Sequence, residues 1–150
     1  MSLIKEFFNT FGTDMTTNFD LIKYAKLLKI KPFQYIMSDE INKLPKGNFN
    51  CIMNYQLSHQ QGTHHVALVR KENTLYYFDS YGMPIQKHIL DFFKGSNLIL
   101  RSHDYQFQTV NDKYCGQISL FVIYLLNNNY EYHDIISMLK DKFFVKNDKL

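Results

Sequence analysis

Residues Ile118 to Leu126 form the longest strongly apolar run in the chain, and they follow directly on Cys115-Gly116-Gln117. The stretch Gln-Ile-Ser-Leu-Phe-Val-Ile-Tyr-Leu-Leu is apolar nearly all round, the pattern of a helix buried on every side. It is far too short to cross a bilayer, which takes ~20 such residues. The run therefore predicts a central helix that starts at Cys115 and stops at Asn127-Asn128-Asn129, with a globular core assembled around it. A chain of 150 residues has material for one such core, so residues 1–150 read as a single domain.

The segments available to surround that helix are mixed. Phe19, Ile22, Ala25 and Leu28 recur at helical spacing behind Thr16, Thr17 or Asn18 as caps, which predicts a helix over about Asn18 to Leu28. Phe33 to Met37 reads as a short extended segment, Asp39 to Pro45 as a turn or loop, and Phe49 to Tyr55 as a strand. His65 to Arg70 and Thr74 to Asp79 flank a polar Lys-Glu-Asn turn and predict an antiparallel hairpin. Ile85 to Phe93 has helical spacing, with Gly95 beyond it. Asn97 to Leu100 and Tyr105 to Gln108 read as two further strands, and Tyr132 to Phe143 as an amphipathic helix. The expected class is α+β: a mainly antiparallel sheet packed by helices, with a buried central helix beginning at the cysteine.

Cys51 and Cys115 are the only cysteines. The N-terminus, Met-Ser-Leu-Ile-Lys-Glu, lacks the basic start and apolar centre of a secretory signal, so the expected setting is reducing and not secreted, with both thiols free. The 45% hydrophobic and 21% charged residues exclude a disordered chain. The charge of +3 is mild. It includes lysine clusters at Lys23, Lys26, Lys29 and Lys31 and at Lys140, Lys142, Lys146 and Lys149, which are solvated faces unless an acidic partner meets them.

The chemistry of a cysteine depends on its thiolate, and an ordinary thiol pKa of ~8.5 leaves little of it at neutral pH. A helix N-terminus stabilises the anion through the helix dipole and unpaired N–H groups. Cys115 is predicted to stand at one, and Gly116 beside it leaves room for a substrate backbone. Cys51 lies inside a strand between apolar neighbours and reads as a core residue. A base must come from among His59, His64, His65, His88, His103 and His133. His64 and His65 stand out because they open a strand directly after the loop-like Gln60-Gln61-Gly62-Thr63. Strand alternation should let at most one of them reach Cys115. Asp79 closes the paired strand and so ends near His64, where it can orient an imidazole; the other reading of it is a turn initiator before Ser80-Tyr81-Gly82. Gln108, at the end of a strand leading into the Cys115 loop, can donate an amide N–H to an oxyanion, with Gln106 as its rival. A zinc site built from Cys51, His59, His64 and Cys115 has none of the paired spacings such sites use. No metal and no cofactor is expected.

Three segments, in order, resemble those of the adenovirus-type maturation proteases (adenain, including virophage and Polinton types) and their ubiquitin-like-protein protease relatives. Gly62-Thr63-His64-His65-Val66-Ala67-Leu68 resembles the family's Gly-x-His-Trp-hydrophobic-Ala block. Tyr77-Phe78-Asp79-Ser80-Tyr81-Gly82 resembles its Tyr-Phe-(Asp/Glu)-x-(Phe/Tyr)-Gly block, and Gln108 through Cys115-Gly116 its Gln…Cys-Gly block. The resemblance implies a papain-like cysteine endopeptidase in which Cys115 is the nucleophile, His64 the base, Asp79 its partner and Gln108 the oxyanion donor. It selects His64 over His65, because His65 falls where the family has tryptophan lining the cleft; His65 and Gly116 are then expected to contact substrate. It further implies a monomer that cleaves capsid or core precursors next to glycine or other small residues, in host cytoplasm, virus factory or virion. Stimulation by DNA or a viral peptide, as in adenain, is open to it. The same chemistry would serve removal of ubiquitin-like modifiers from host proteins, and a binding module with a degenerate site would share the motifs without the activity.

Overall fold

The computed structural model describes residues 2–55, 64–109 and 111–143. The expected approach segment Gln60 to Thr63, His59, Lys146 and Lys149 lie outside them.

A five-stranded sheet holds the order β1-β2-β3-β4-β5 along both the chain and the sheet: Gln34–Met37, Phe49–Asn54, His65–Lys71, Thr74–Phe78 and Ile99–Arg101. The two central pairs are antiparallel, β2 with β3 and β3 with β4, and each edge strand joins in parallel. The β3–β4 hairpin forms as the alternating residues on either side of the Lys-Glu-Asn turn require, with Glu72 at φ 57° to close it. The parallel edges need long connections. A 3-10 segment, Ser38–Lys43, leads out of β1, and helix α3, Lys87–Phe92, lies between β4 and β5.

The helices α1 (Leu3–Phe11), α2 (Asn18–Leu27), α4 (Cys115–Asn127) and α5 (Tyr132–Phe143) complete the chain. Thr17 and Asp20 form the capping box of α2, each side chain taking the other's backbone N–H. α4 is buried along nearly its whole length, as its composition dictates. Ile52, Ala67, Val69 and Phe78 come from one face of the sheet to meet it, and Phe7, Phe8, Leu21, Ala25, Ile135 and Leu139 from the helices behind. The opposite sheet face packs Cys51, Met53, Val66, Leu68 and Tyr77 against Leu44 and Ile89. The sheet is therefore covered on both sides, and Cys51 lies on the side away from α4.

Two expectations are corrected. Leu3–Phe11, assigned no element from the sequence, is a helix capped by Ser2 that buries Ile4, Phe7 and Phe8. Tyr105 to Gln108, expected as a strand, joins no sheet ladder; its one backbone–backbone bond to the turn after β4 runs from Phe107 N–H to the Ser80 carbonyl (2.8 Å). Among the described residues no helix is long and apolar enough to cross a membrane.

Candidate active site

Cys115 is the first residue of α4 and is 6% exposed. The first intrahelical bond runs from Ile118 N–H to the Tyr114 carbonyl (3.0 Å), so the N–H groups of Cys115, Gly116 and Gln117 open the helix at the sulfur. Gly116 is required by packing. A methyl group on its Cα would collide with Thr16 Oγ1 and stand about 3 Å from Leu21. The space this glycine leaves is thus on the α2 side, whereas the sequence reading had it opening the substrate's path.

His64 and His65 both bear on Cys115. The expectation that at most one would do so rests on regular alternation, and β3 begins only at His65. His65 shares the α4-facing side of β3 with Ala67 and Val69, and its Nδ1 is 3.7 Å from Cys115 Sγ. His64 precedes the ladder, held by its carbonyl, which accepts from Tyr55 N–H (2.8 Å), so its side chain is free of the strand's period. One turn into α4, Ser119 Oγ donates to the His65 carbonyl (3.4 Å), tying the start of the helix to the start of the strand.

His64 Nε2 is 2.8 Å from Asp79 Oδ1. A buried carboxylate only accepts, so Nε2 carries the proton and Nδ1 is the nitrogen left for the thiol. Nδ1 is buried without a fully formed hydrogen bond, the loose geometry common to sites awaiting substrate. The ring is stacked on Tyr81 at 4.3 Å and flanked by Tyr55 at 5.6 Å. Burial works against its charged form, but Asp79 and Cys115 outweigh it and hold the pKa up at about 9. At Cys115 burial pushes the thiol up, yet hydrogen bonding to His64 and His65 holds it down at about 6. At neutral pH the two groups are therefore a thiolate and an imidazolium. Cys51 is the contrast: fully buried with only the backbone of Ile36 to help it, its thiol is pushed far above the ordinary range. Neither cysteine is in a disulfide.

Asp79 sits one residue past β4, where its Oδ1 also accepts from Tyr81 N–H (2.8 Å) and its carbonyl from Gly82 N–H (2.8 Å). Gly82 has φ +73°, and an added methyl would lie 2.5 Å from the Tyr105 carbonyl oxygen, so both backbone angle and space demand glycine. This contact, the Phe107–Ser80 bond and the hydroxyl of Ser80, which donates to Gln108 Oε1 (2.7 Å), lock the Asp79 turn to the 104–108 segment. Gln108 Nε2 donates to the Asp112 carbonyl (3.0 Å), and its amide also meets the Tyr81 hydroxyl, which feels the charge of Cys115. Gln106 instead bonds the Gln108 carbonyl (2.9 Å), serving the loop backbone. His88 bonds the Ser38 carbonyl on the far side of the sheet, and His103 stacks on Phe78.

Two residues the sequence reading passed over complete the cluster. Tyr35 of β1 places its hydroxyl 2.6 Å from His65 Nε2, and Asn54 of β2 donates to that hydroxyl (3.0 Å). Asn54 is directly across from His65 in the ladder, and Tyr35 pairs with Ile52 on the same face. Period-two alternation in Phe33 to Met37 and Phe49 to Tyr55 marks both positions, but only the register brings them together.

No protein-family model matches the chain, and no curated protein does. Solved structures do. The ASFV pS273R protease superposes with a TM-score of 0.60 at 20% identity, covering 84% of this chain and 62% of its own. Its selenomethionine form gives 0.57 at 18% identity, over 84% and 63%. The chain has the fold of a viral cysteine protease. It spans less than two thirds of that protease's length. The α+β class expected from the sequence is therefore met, with the cysteine-initiated helix at its centre.

Proposed function

We propose that this chain is a cysteine endopeptidase. The observation that carries the proposal is Cys115 at the head of a buried helix, with His65 Nδ1 3.7 Å from its sulfur and the His64–Asp79 pair beside it, while Cys51 is sealed in the far face of the sheet. Cys115 Sγ attacks the scissile carbonyl, and the developing oxyanion is met by the Cys115 N–H together with an amide proton of Gln108. The His64 imidazolium, oriented by Asp79 and backed by Tyr81, gives its Nδ1 proton to the leaving amine. It then takes one from the water that hydrolyses the thioester.

The likeness in fold to a viral protease and the adenain-like motif order support a viral maturation role. In it, capsid or core precursors would be cut beside glycine or other small residues, in host cytoplasm, virus factory or virion, with DNA or a peptide as a candidate activator. Co-expression with the capsid precursor of the same genome, wild type against Cys115→Ala, tests this. Processing abolished by the substitution is expected, and equal processing by both would overturn the assignment of Cys115. Rapid cleavage of ubiquitin-like modifier fusions with no capsid processing would replace the maturation role by deconjugation.

A further inference from the structure

The residues behind the two imidazoles differ. Behind His64 is a carboxylate, Asp79, which leaves the ring free to carry a positive charge. Behind His65 is a phenol whose own surroundings are defined. Asn54 Nδ2 can only donate, so the Tyr35 oxygen accepts from it (3.0 Å); its single proton can then be given to His65 Nε2 at 2.6 Å, and its second lone pair is the alternative, an acceptor for an Nε2–H. Burial, the largest influence on Tyr35, holds its pKa above the ordinary phenol range, so the hydroxyl keeps its proton. Where Nε2 accepts it carries no hydrogen, and the ring's proton is on Nδ1, 3.7 Å from Cys115 Sγ.

We propose that His65, its tautomer set by the Asn54–Tyr35 chain, is a fixed neutral N–H donor to the Cys115 thiolate, standing opposite the proton-carrying His64. The inference rests on reading Cys115 as the nucleophile only for its consequence in turnover; the hydrogen bond itself stands on geometry. His65 is 6% exposed and its two ring nitrogens are both engaged, so it is wall and donor together. A sulfur held by two donors ionises at lower pH than one held by His64 alone, and the site can work below neutrality without His64 having to change its own proton affinity. The titratable groups that bear on Cys115 are His64, with Asp79 behind it, His65 with Tyr35 behind it, and Tyr81 from the loop after β4.

The test reads the thiolate itself. Thiolate absorbance and iodoacetamide rate are followed against pH in wild type, His65→Phe and Tyr35→Phe, each referred to Cys115→Ala, with folding checked by circular dichroism. The wild-type midpoint should lie at about 6. In His65→Phe it should rise by about one pH unit, so the alkylation rate falls about fivefold at pH 6 and hardly changes at pH 8. Imidazole nitrogen NMR should show His65 as the Nδ1–H form in wild type and as a mixture of tautomers in Tyr35→Phe, which keeps the ring in place. An unchanged midpoint in a folded His65→Phe, or an Nε2–H form in wild type, overturns the inference. A midpoint that moves as stated in a chain that cleaves no peptide sustains it and overturns the peptidase reading instead.

Discussion

Replacing Asp79 with asparagine should move the basic limb of the pH–rate profile and leave the acidic limb nearly in place. Rate requires the thiolate and the imidazolium together. It should rise as pH climbs through about 6, where Cys115 ionises, and fall through about 9, where His64 loses its proton. These limbs belong to the coupled pair. Asn preserves the shape of the side chain, and its carbonyl oxygen can still accept from Tyr81 N–H, so the turn survives. What it removes is the negative charge against His64 Nε2. The gap between about 9 and the ordinary ~6.5 corresponds to roughly 3 kcal/mol in favour of the imidazolium. Cys115 supplies part of that. Asp79, whose hydrogen bond is the largest influence raising His64, supplies enough to lower the basic limb to about 7 once it is neutral. At pH 8 the protonated fraction of His64 then drops about tenfold, while at pH 6 it changes by less than twofold. Initial rates on an internally quenched glycine-containing peptide, from pH 5 to 10, give both limbs. A uniform loss of rate with the basic limb still near 9 would refute the idea that the carboxylate acts by holding the imidazolium, and would leave it a structural group of the turn.

Three further outcomes are expected. Iodoacetamide at pH 7 should label Cys115 and leave Cys51 untouched in the folded chain, as peptide mapping would show; equal labelling would contradict their opposite environments. Gln108→Ala should lower kcat by about 100-fold with little change in KM, the mark of an oxyanion donor; a change confined to KM would assign Gln108 to substrate binding. Gly82→Ala forces a side chain into left-handed backbone and against the Tyr105 carbonyl, which should cost about 2 to 4 kcal/mol. Calorimetry should then record a Tm lower by on the order of 10 °C, and an unchanged Tm would mean the 104–105 backbone yields freely.

Much of the fold was legible because single segments announce themselves. The β3–β4 hairpin has its alternation and turn, and α4 its apolar surface. Helix α1 carried an equally local signal, Ser2 as cap and Ile4, Phe7, Phe8 and Phe11 at helical spacing, and needed only to be read for structure. Tyr105 to Gln108 shows the opposite difficulty. Its alternation of Tyr, Phe and Gln is that of a strand, yet its backbone groups bond to side chains and, from Phe107 N–H, to the Ser80 carbonyl. Tertiary context decides such segments. In the site, the positions of His64, Asp79 and Cys115 follow from where strands end and a helix begins. The pairing of both histidines with one sulfur does not, because it depends on His64 lying just outside the ladder. Tyr35 and Asn54 were hidden for a similar reason: their meeting with His65 is a matter of register across three strands, and register is absent from any one segment.

The contact of Gly82 with the backbone at Tyr105, the bond from Phe107 to Ser80 and that from Ser80 to Gln108 also have a mechanical meaning. They make the Asp79 carboxylate beside His64 and the Gln108 amide, the proposed oxyanion donor, parts of one bracket. A ligand pulling the 104–108 segment outward would slacken both at once, and one pressing it inward would seat both. The two halves of the chemistry would thus be throttled in step from a single surface, with neither the thiol nor its helix having to move.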